Sequence, residues 1–131
     1  MKILVDTCIW SQVLRRKNPN LELANKLKDL IKDARVVIIG PIRQELLSGI
    51  SNNSQFNKIK DVLSSFKDLP LRTEHFINAA EFSNTSRSKG IQGSTIDFLI
   101  CAVACLENLI IFTLDKDFKQ YKEYLPITLY K

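Results

Sequence analysis

Three short, unbroken apolar runs set apart by long helical stretches constrain the fold of this chain more than any other feature. Ile3-Leu4-Val5, Val36-Val37-Ile38-Ile39 and Leu109-Ile110-Ile111-Phe112 show no polar alternation, which marks strands buried on both faces. The stretches between them carry apolar residues at helical spacing. Leu21, Ala24, Leu27, Leu30 and Ile31 form one stripe, and Phe56, Ile59, Val62, Leu63 and Phe66 form another. Strands of this kind separated by helices argue a mostly parallel sheet covered on both faces.

The expected elements are a strand over 2–6, a helix to about Arg16, and a second helix from Leu21 to Ile31. A strand over 35–39 follows, then a helix opened by Gly40-Pro41 that ends near Gly49, and a helix over 56–66. Leu69-Pro70-Leu71 reads as a short strand. A helix from Thr73 to Lys89 should face inward with Phe76, Ala79, Ala80 and Ser83, and stop at Gly90. Ile96 to Glu107 is apolar nearly all round and so reads as a central helix. A strand over 109–113, a helix over 117–124 and a strand over 127–130 complete the chain. With no repeat, low-complexity tract or linker, residues 1–131 read as a single domain.

Four carboxylates fall where strands end or helices begin. Asp6 closes the first apolar run and Asp115 follows the last, while Glu45 and Asp97 stand just inside helices. In a parallel sheet the strand carboxyl ends and the following helix amino ends share one edge, where ligands bind. Acids gathered there repel one another unless a cation holds them, and hard oxygen ligands suit Mg²⁺ or Mn²⁺. Each acid has a plainer role available. Asp6 can cap a helix, Glu45 can be a solvated helical glutamate, Ser94 with Asp97 resembles a capping box, and Asp115 and Asp117 can form a turn. Convergence on one edge favours the metal site, as does the apolar setting of Asp97 between Ile96 and Phe98-Leu99-Ile100.

The formal charge is +5, and setting the four acids aside leaves a remainder more basic still. A basic shell around an acidic pocket suits a polyanion cut by bound metal. Cys101 and Cys105 stand one turn apart in an apolar helix, Cys8 should pack inside the first helix, and His75 is the only histidine. No zinc spacing results, so all three cysteines read as reduced thiols. No apolar run approaches the roughly 20 residues needed to span a bilayer. Asp6 interrupts any signal-peptide core, so the expectation is a cytoplasmic protein without membrane contact.

At these residues the chain resembles a PIN-domain ribonuclease of the VapC type, the toxin of bacterial and archaeal toxin–antitoxin pairs. The resemblance is carried, in order, by Ile3-Leu4-Val5-Asp6-Thr7-Cys8-Ile9-Trp10, Gln44-Glu45-Leu46-Leu47-Ser48-Gly49, Ile96-Asp97-Phe98-Leu99-Ile100-Cys101-Ala102 and Phe112-Thr113-Leu114-Asp115-Lys116-Asp117-Phe118. It implies a three-layer α/β/α sandwich with a mostly parallel central sheet, Mg²⁺ or Mn²⁺ dependence, cleavage of RNA, a homodimer, and inhibition by a cognate antitoxin protein. By position, Asp6 and Asp97 would be the principal metal ligands, with Glu45 and Asp115 completing the acidic set. Thr113 would orient an acid or a water. Asp117 is an outer ligand or a helix cap. Phosphodiester hydrolysis by carboxylate-held metal fits these residue types, and with no histidine near the acids the expected products are a 5′-phosphate and a 3′-hydroxyl.

Arg43, Arg87, Lys89 and Lys116, close in sequence to the acids, are candidates for RNA contact, with Arg15, Arg16 and Lys17 tracking more distant phosphate. Trp10 could stack on a base or sit in the core. Three rivals remain. A haloacid-dehalogenase-type phosphatase needs a second Asp where Cys8 stands, and a receiver domain needs paired acids near Asp6. The third is a PIN-fold RNA- or protein-binding module, or an RNA-processing nuclease without a toxin role.

Overall fold

The first apolar run forms the centre of the sheet because every one of its side chains is excluded from water. In the computed structural model, which describes residues 1–131, β1 (Ile3–Val5) is fully buried. It pairs in parallel with β2 (Val36–Val37) through Ile3–Val36 and Leu4–Val37. On its other side it pairs in parallel with β3 (Ile110–Phe112), with Val5 opposite Phe112. The order is β2-β1-β3. Single parallel bridges extend the sheet outward, Ile38 to Asp68 at one edge and Ile111 to Leu129 at the other.

The strands expected over 69–71 and 127–130 therefore do not form, and single bridges at Asp68, just before the first span, and at Leu129 take their place. Pro70 and Pro126 sit in these two edge segments and have no N–H to give to a ladder. The second strand is likewise shorter than 35–39, since Ile38 leaves β2 to bridge Asp68.

The helices obey their caps. Asp6 caps α1 (Thr7–Leu14), Asn20 caps α2 (Leu21–Lys32), and Pro41 lies in the first turn of α3 (Gly40–Leu47). Asn52 caps α4 (Asn53–Leu63). The next helix, α5 (Thr73–Ser88), is followed by Gly90 at φ +76°, a left-handed position that suits glycine. Ser94 caps α6 (Thr95–Leu106), which is buried without interruption from Phe98 to Ala104, and α7 (Asp117–Tyr124) closes the set.

One stripe is phased differently from the expectation. The buried residues of α5 are His75, Phe82 and Ser86, whereas Phe76 is exposed, Ala80 is exposed, and Ala79 and Ser83 are half-buried. The inward face begins at His75 because the helix terminus itself satisfies that ring. His75 Nδ1 accepts the Arg72 N–H at 2.9 Å, so one of the two ring nitrogens is satisfied on burial.

From β1 the chain steps outward through α1 and α2 to β2, then through α3 and α4 to the Asp68 edge. It returns through α5 and α6 to β3, on the far side of β1. Right-handed crossovers place these two helix groups on opposite faces, giving three layers, α/β/α. Direction reverses between β1 and β3, and a parallel sheet opens a crevice beyond the strand carboxyl ends at such a point. No helix is long and apolar enough to cross a membrane.

Candidate metal centre at the sheet switch point

Asp6 and Thr113 stand at the mouth of that crevice because they are the first residues beyond β1 and β3. The Asp6 amide still belongs to the ladder, donating to Phe112 O at 2.9 Å. The residue is only 7% exposed. Oδ1 accepts the Thr7 N–H at 2.8 Å, which caps α1, and Oδ2 accepts the Thr113 hydroxyl at 2.8 Å. Thr113 Oγ1 in turn accepts the Asp115 N–H at 3.0 Å. One threonine hydroxyl thus ties together two strand ends and two acids.

Burial raises the Asp6 carboxyl above the ordinary aspartate range. The hydrogen bonds from Thr113, Thr7 and Cys8 oppose that rise, and the neighbouring Asp97 charge adds to it. Cys8 does not pack into the interior of its helix as expected. Its Sγ lies 3.6 Å from Asp6 Oδ2 and 3.4 Å from Thr113 Oγ1, and accepts the Leu114 N–H at 3.3 Å. Burial pushes this thiol up as well.

Across the crevice Asp97 occupies the first turn of α6, where its N–H donates to Ser94 Oγ at 3.1 Å. Carboxylate oxygens of Asp97, Asp115 and Asp117 all lie within 4.8 Å of one another. The helix-capping alternative for Asp117 finds a different occupant, because Asp115 Oδ1 accepts the Asp117 N–H at 2.9 Å. That leaves the Asp117 side chain free of a capping bond. Asp6 and Glu45 stand outside this triplet but line the same cleft, which has a volume of about 570 Å³. None of the five acids has a Lys, Arg or His partner within 4.0 Å.

One residue that sequence reasoning missed, and one that it placed farther away, complete the site. Tyr121, fully buried on α7, donates its hydroxyl to Asp97 Oδ2 at 2.7 Å. Burial, and then the bond to Asp97, push its phenol well above the ordinary tyrosine range. Arg15 lines the cleft with Cys8 and Ser11, positions three and seven residues apart along α1. Arg15, expected to track more distant phosphate, therefore stands at the cleft itself, and its helical spacing from Cys8 and Ser11 is visible in the sequence.

The candidate cations near the acids fare differently. Arg43 is committed elsewhere, pairing Nε with Asp68 at 3.0 Å and donating to the Leu63 and Phe66 carbonyls at 3.0 and 2.6 Å. It clamps the end of α4 instead of facing the cleft, which corrects its placement as an RNA contact. Lys89 sits 5.7 Å over the Tyr124 ring, and Arg87 lines a separate hollow with Gly93 and Phe98. Lys116 is exposed beside Asp115. Trp10 is a core residue, edge-on to Phe66, and so cannot stack on a base. The cysteines are free, with Cys101 buried.

The same architecture recurs in known structures. FitAcB from Neisseria gonorrhoeae superposes with a TM-score of 0.81 at 22% identity, covering 98% of this chain and 96% of that one. VapBC2 from Rickettsia felis, bound to a DNA fragment from its promoter, gives 0.82 at 22% identity over 99% and 98%. VapBC-5 from Mycobacterium tuberculosis, of the VapBC family of toxin–antitoxin systems, gives 0.70 at 16% over 99% and 97%. No curated protein sequence matches. At such identities these likenesses establish the fold alone, while the sequence itself supplies the lineage. A family model described as the PIN domain matches residues 3–124, nearly the whole chain, and this chain therefore belongs to the PIN domain family.

Proposed function

We propose that residues 1–131 form a single PIN-like domain that hydrolyses RNA with Mg²⁺ or Mn²⁺, as the toxin of a toxin–antitoxin pair. The observation that carries this reading is the gathering of five unpaired acids in one cleft, three of them with oxygens within 4.8 Å. Like charges this close repel one another, and a cation bound between them would relieve that repulsion. The donor set is all carboxylate oxygen with no imidazole, which fits a hard divalent ion of the Mg²⁺ or Mn²⁺ kind. Asp97, Asp115 and Asp117 would hold it, with Asp6 and Glu45 completing the acidic set. When bound, such an ion lowers the pKa of its water and clamps the phosphate.

The chain's own groups supply the rest. Thr113 and the Thr7 amide hold the Asp6 carboxylate in one orientation, so it needs no rearrangement when substrate arrives. Glu45, exposed on α3 and lining the same cleft, would accept a proton from an attacking water. Histidine chemistry is unsupported, because His75 is fully buried at the start of α5 and absent from the cleft. Attack by water rather than by the 2′-hydroxyl leaves a 5′-phosphate and a 3′-hydroxyl.

Arg15 on the cleft wall would meet the scissile region of the RNA. It also lines an adjoining groove of about 510 Å³ with Arg16, Lys17 and Lys58. None of these four cations is ion-paired, so the groove offers a basic track for the strand leaving the cleft. Arg87 and Lys116 remain candidates at the other side. A cognate antitoxin as partner, a homodimer and a cytoplasmic setting complete the reading; its support is the fold shared with VapBC structures.

The decisive experiment compares cleavage of total cellular RNA by wild type and Asp97→Asn, mapping both new ends. The expected result is cutting by wild type alone, with 5′-phosphate products. Equal cutting by both proteins, or a 2′,3′-cyclic phosphate, would sink the mechanism.

A further inference from the structure

We propose that Tyr121 is a positioning residue that holds the Asp97 carboxylate toward Asp115 and Asp117, and so sets how tightly the cluster takes a divalent cation. The inference rests on the metal-centre reading above and adds a residue with no ligand atom of its own in the cluster.

The geometry is specific. Asp117 and Tyr121 lie four residues apart on α7, so both side chains project from one face, one turn apart. Both meet Asp97: Asp117 through the carboxylate cluster and Tyr121 through its 2.7 Å hydrogen bond to Oδ2. A carboxylate rotates readily about its last torsion. Left free, that of Asp97 would swing from its two anionic neighbours whenever no cation separates them. A phenol donor opposes that rotation and uses only one of the roughly four lone-pair positions a carboxylate offers. It also brings no charge, so it orients the acid without neutralising the cluster as a lysine or arginine would.

The space for that hydroxyl is built into the chain. A Cβ on Gly93 would overlap Tyr121 Oη and would come within 2.8 Å of the Phe98 ring. Gly93 is not in a left-handed conformation, so what it contributes is room. The phenol ring is fixed between Phe98, 5.1 Å away at 48°, and Phe118, 5.2 Å away at 72°. A glycine, two aromatic rings and a buried tyrosine thus converge on a single carboxylate oxygen.

The test is calorimetric Mn²⁺ titration of the full chain as wild type, Tyr121→Phe, Gly93→Ala and a control, Tyr130→Phe. Partners that orient metal ligands in this way are typically worth about 10- to 100-fold in metal affinity. Tyr121→Phe should weaken Mn²⁺ binding by that factor and keep a metal-free melting temperature within a few degrees of wild type. Its RNA cleavage should recover as Mn²⁺ is raised, with KM for RNA unchanged, which a purely structural lesion would not show. Gly93→Ala retains the phenol but drives its oxygen from Asp97, and should weaken Mn²⁺ binding in the same direction. This second variant decides the matter if Tyr121→Phe folds poorly. Tight Mn²⁺ binding by wild type and by both variants alike would overturn the positioning role while leaving the metal centre intact. Absence of Mn²⁺ binding by wild type itself would overturn both.

Discussion

The two edges of the sheet treat their charges in opposite ways. At the amino-terminal edge, before β1 and β3, Glu107 lies 3.4 Å from the Arg72 guanidinium and 3.3 Å from His75 Nε2, and Arg72 also reaches Glu74 at 3.4 Å. At the carboxyl-terminal edge five acids share one cleft without an ion pair. Where acids serve the fold, the chain provides them with cations. At the carboxyl-terminal edge the chain supplies no paired cation, which leaves these acids open to one from solution, as the proposed metal centre requires.

The largest way to break that contrast is to remove an acid from each edge. Asp97→Asn should reduce RNA cleavage by at least about a hundredfold, a loss on the scale of removing one preorganised electrostatic group, with little change in folding. Glu107→Ala should leave cleavage intact and destabilise the protein by about 1–2 kcal/mol in urea unfolding. Most of that cost would come from His75, whose buried Nε2 would lose its carboxylate neighbour at 3.3 Å. The Arg72 pairs are half exposed and add little. If both variants lost activity and stability together, the division of labour between the edges would be wrong.

Metal addition sharpens the same comparison. Mn²⁺ at a hundredfold excess over its dissociation constant should stabilise wild type by about 2.7 kcal/mol, and EDTA should remove that gain. Glu107→Ala should show the full increment, since its lesion lies at the other edge. Asp97→Asn should show almost none.

The smaller differences between sequence and structure have local causes. Fully apolar strands and caps such as Asn20, Asn52 and Ser94 are short-range signals, and they located the elements closely. The acids were legible because strand ends are determined by the same signals. Arg43 was misjudged because sequence proximity to Glu45 is not spatial proximity: residues two apart on a helix point to different sides. The phase of α5 turned on whether the His75 ring could be buried, and that depended on a backbone amide at Arg72 and on Glu107, 32 residues away. Tyr121 was silent for the same reason. Its hydroxyl acquires meaning only when α6 and α7 are brought together, although Gly93 beside Ser94 was a sign that something approaches closely there.

The smallest expected effect concerns Asp6, the most buried acid of the cleft. Asparagine caps a helix about as well as aspartate, so Asp6→Asn should keep the α1 cap. It removes a charge that burial disfavours, and should stabilise the metal-free protein by about 1 kcal/mol, a few degrees in melting temperature. The pH dependence follows from the sign of the shift. Because the folded carboxyl is raised above its ordinary value of 3.8, the folded state holds the proton more tightly than the unfolded chain does. Wild type therefore loses stability relative to Asp6→Asn as pH climbs from 3.8 through the folded value, and the two converge below 3.8. With Mn²⁺ present the order should reverse, since the charge that destabilises the empty cleft is the one that attracts the ion. A variant more stable than wild type both with and without Mn²⁺ would remove Asp6 from the metal centre and leave it as a costly helix cap.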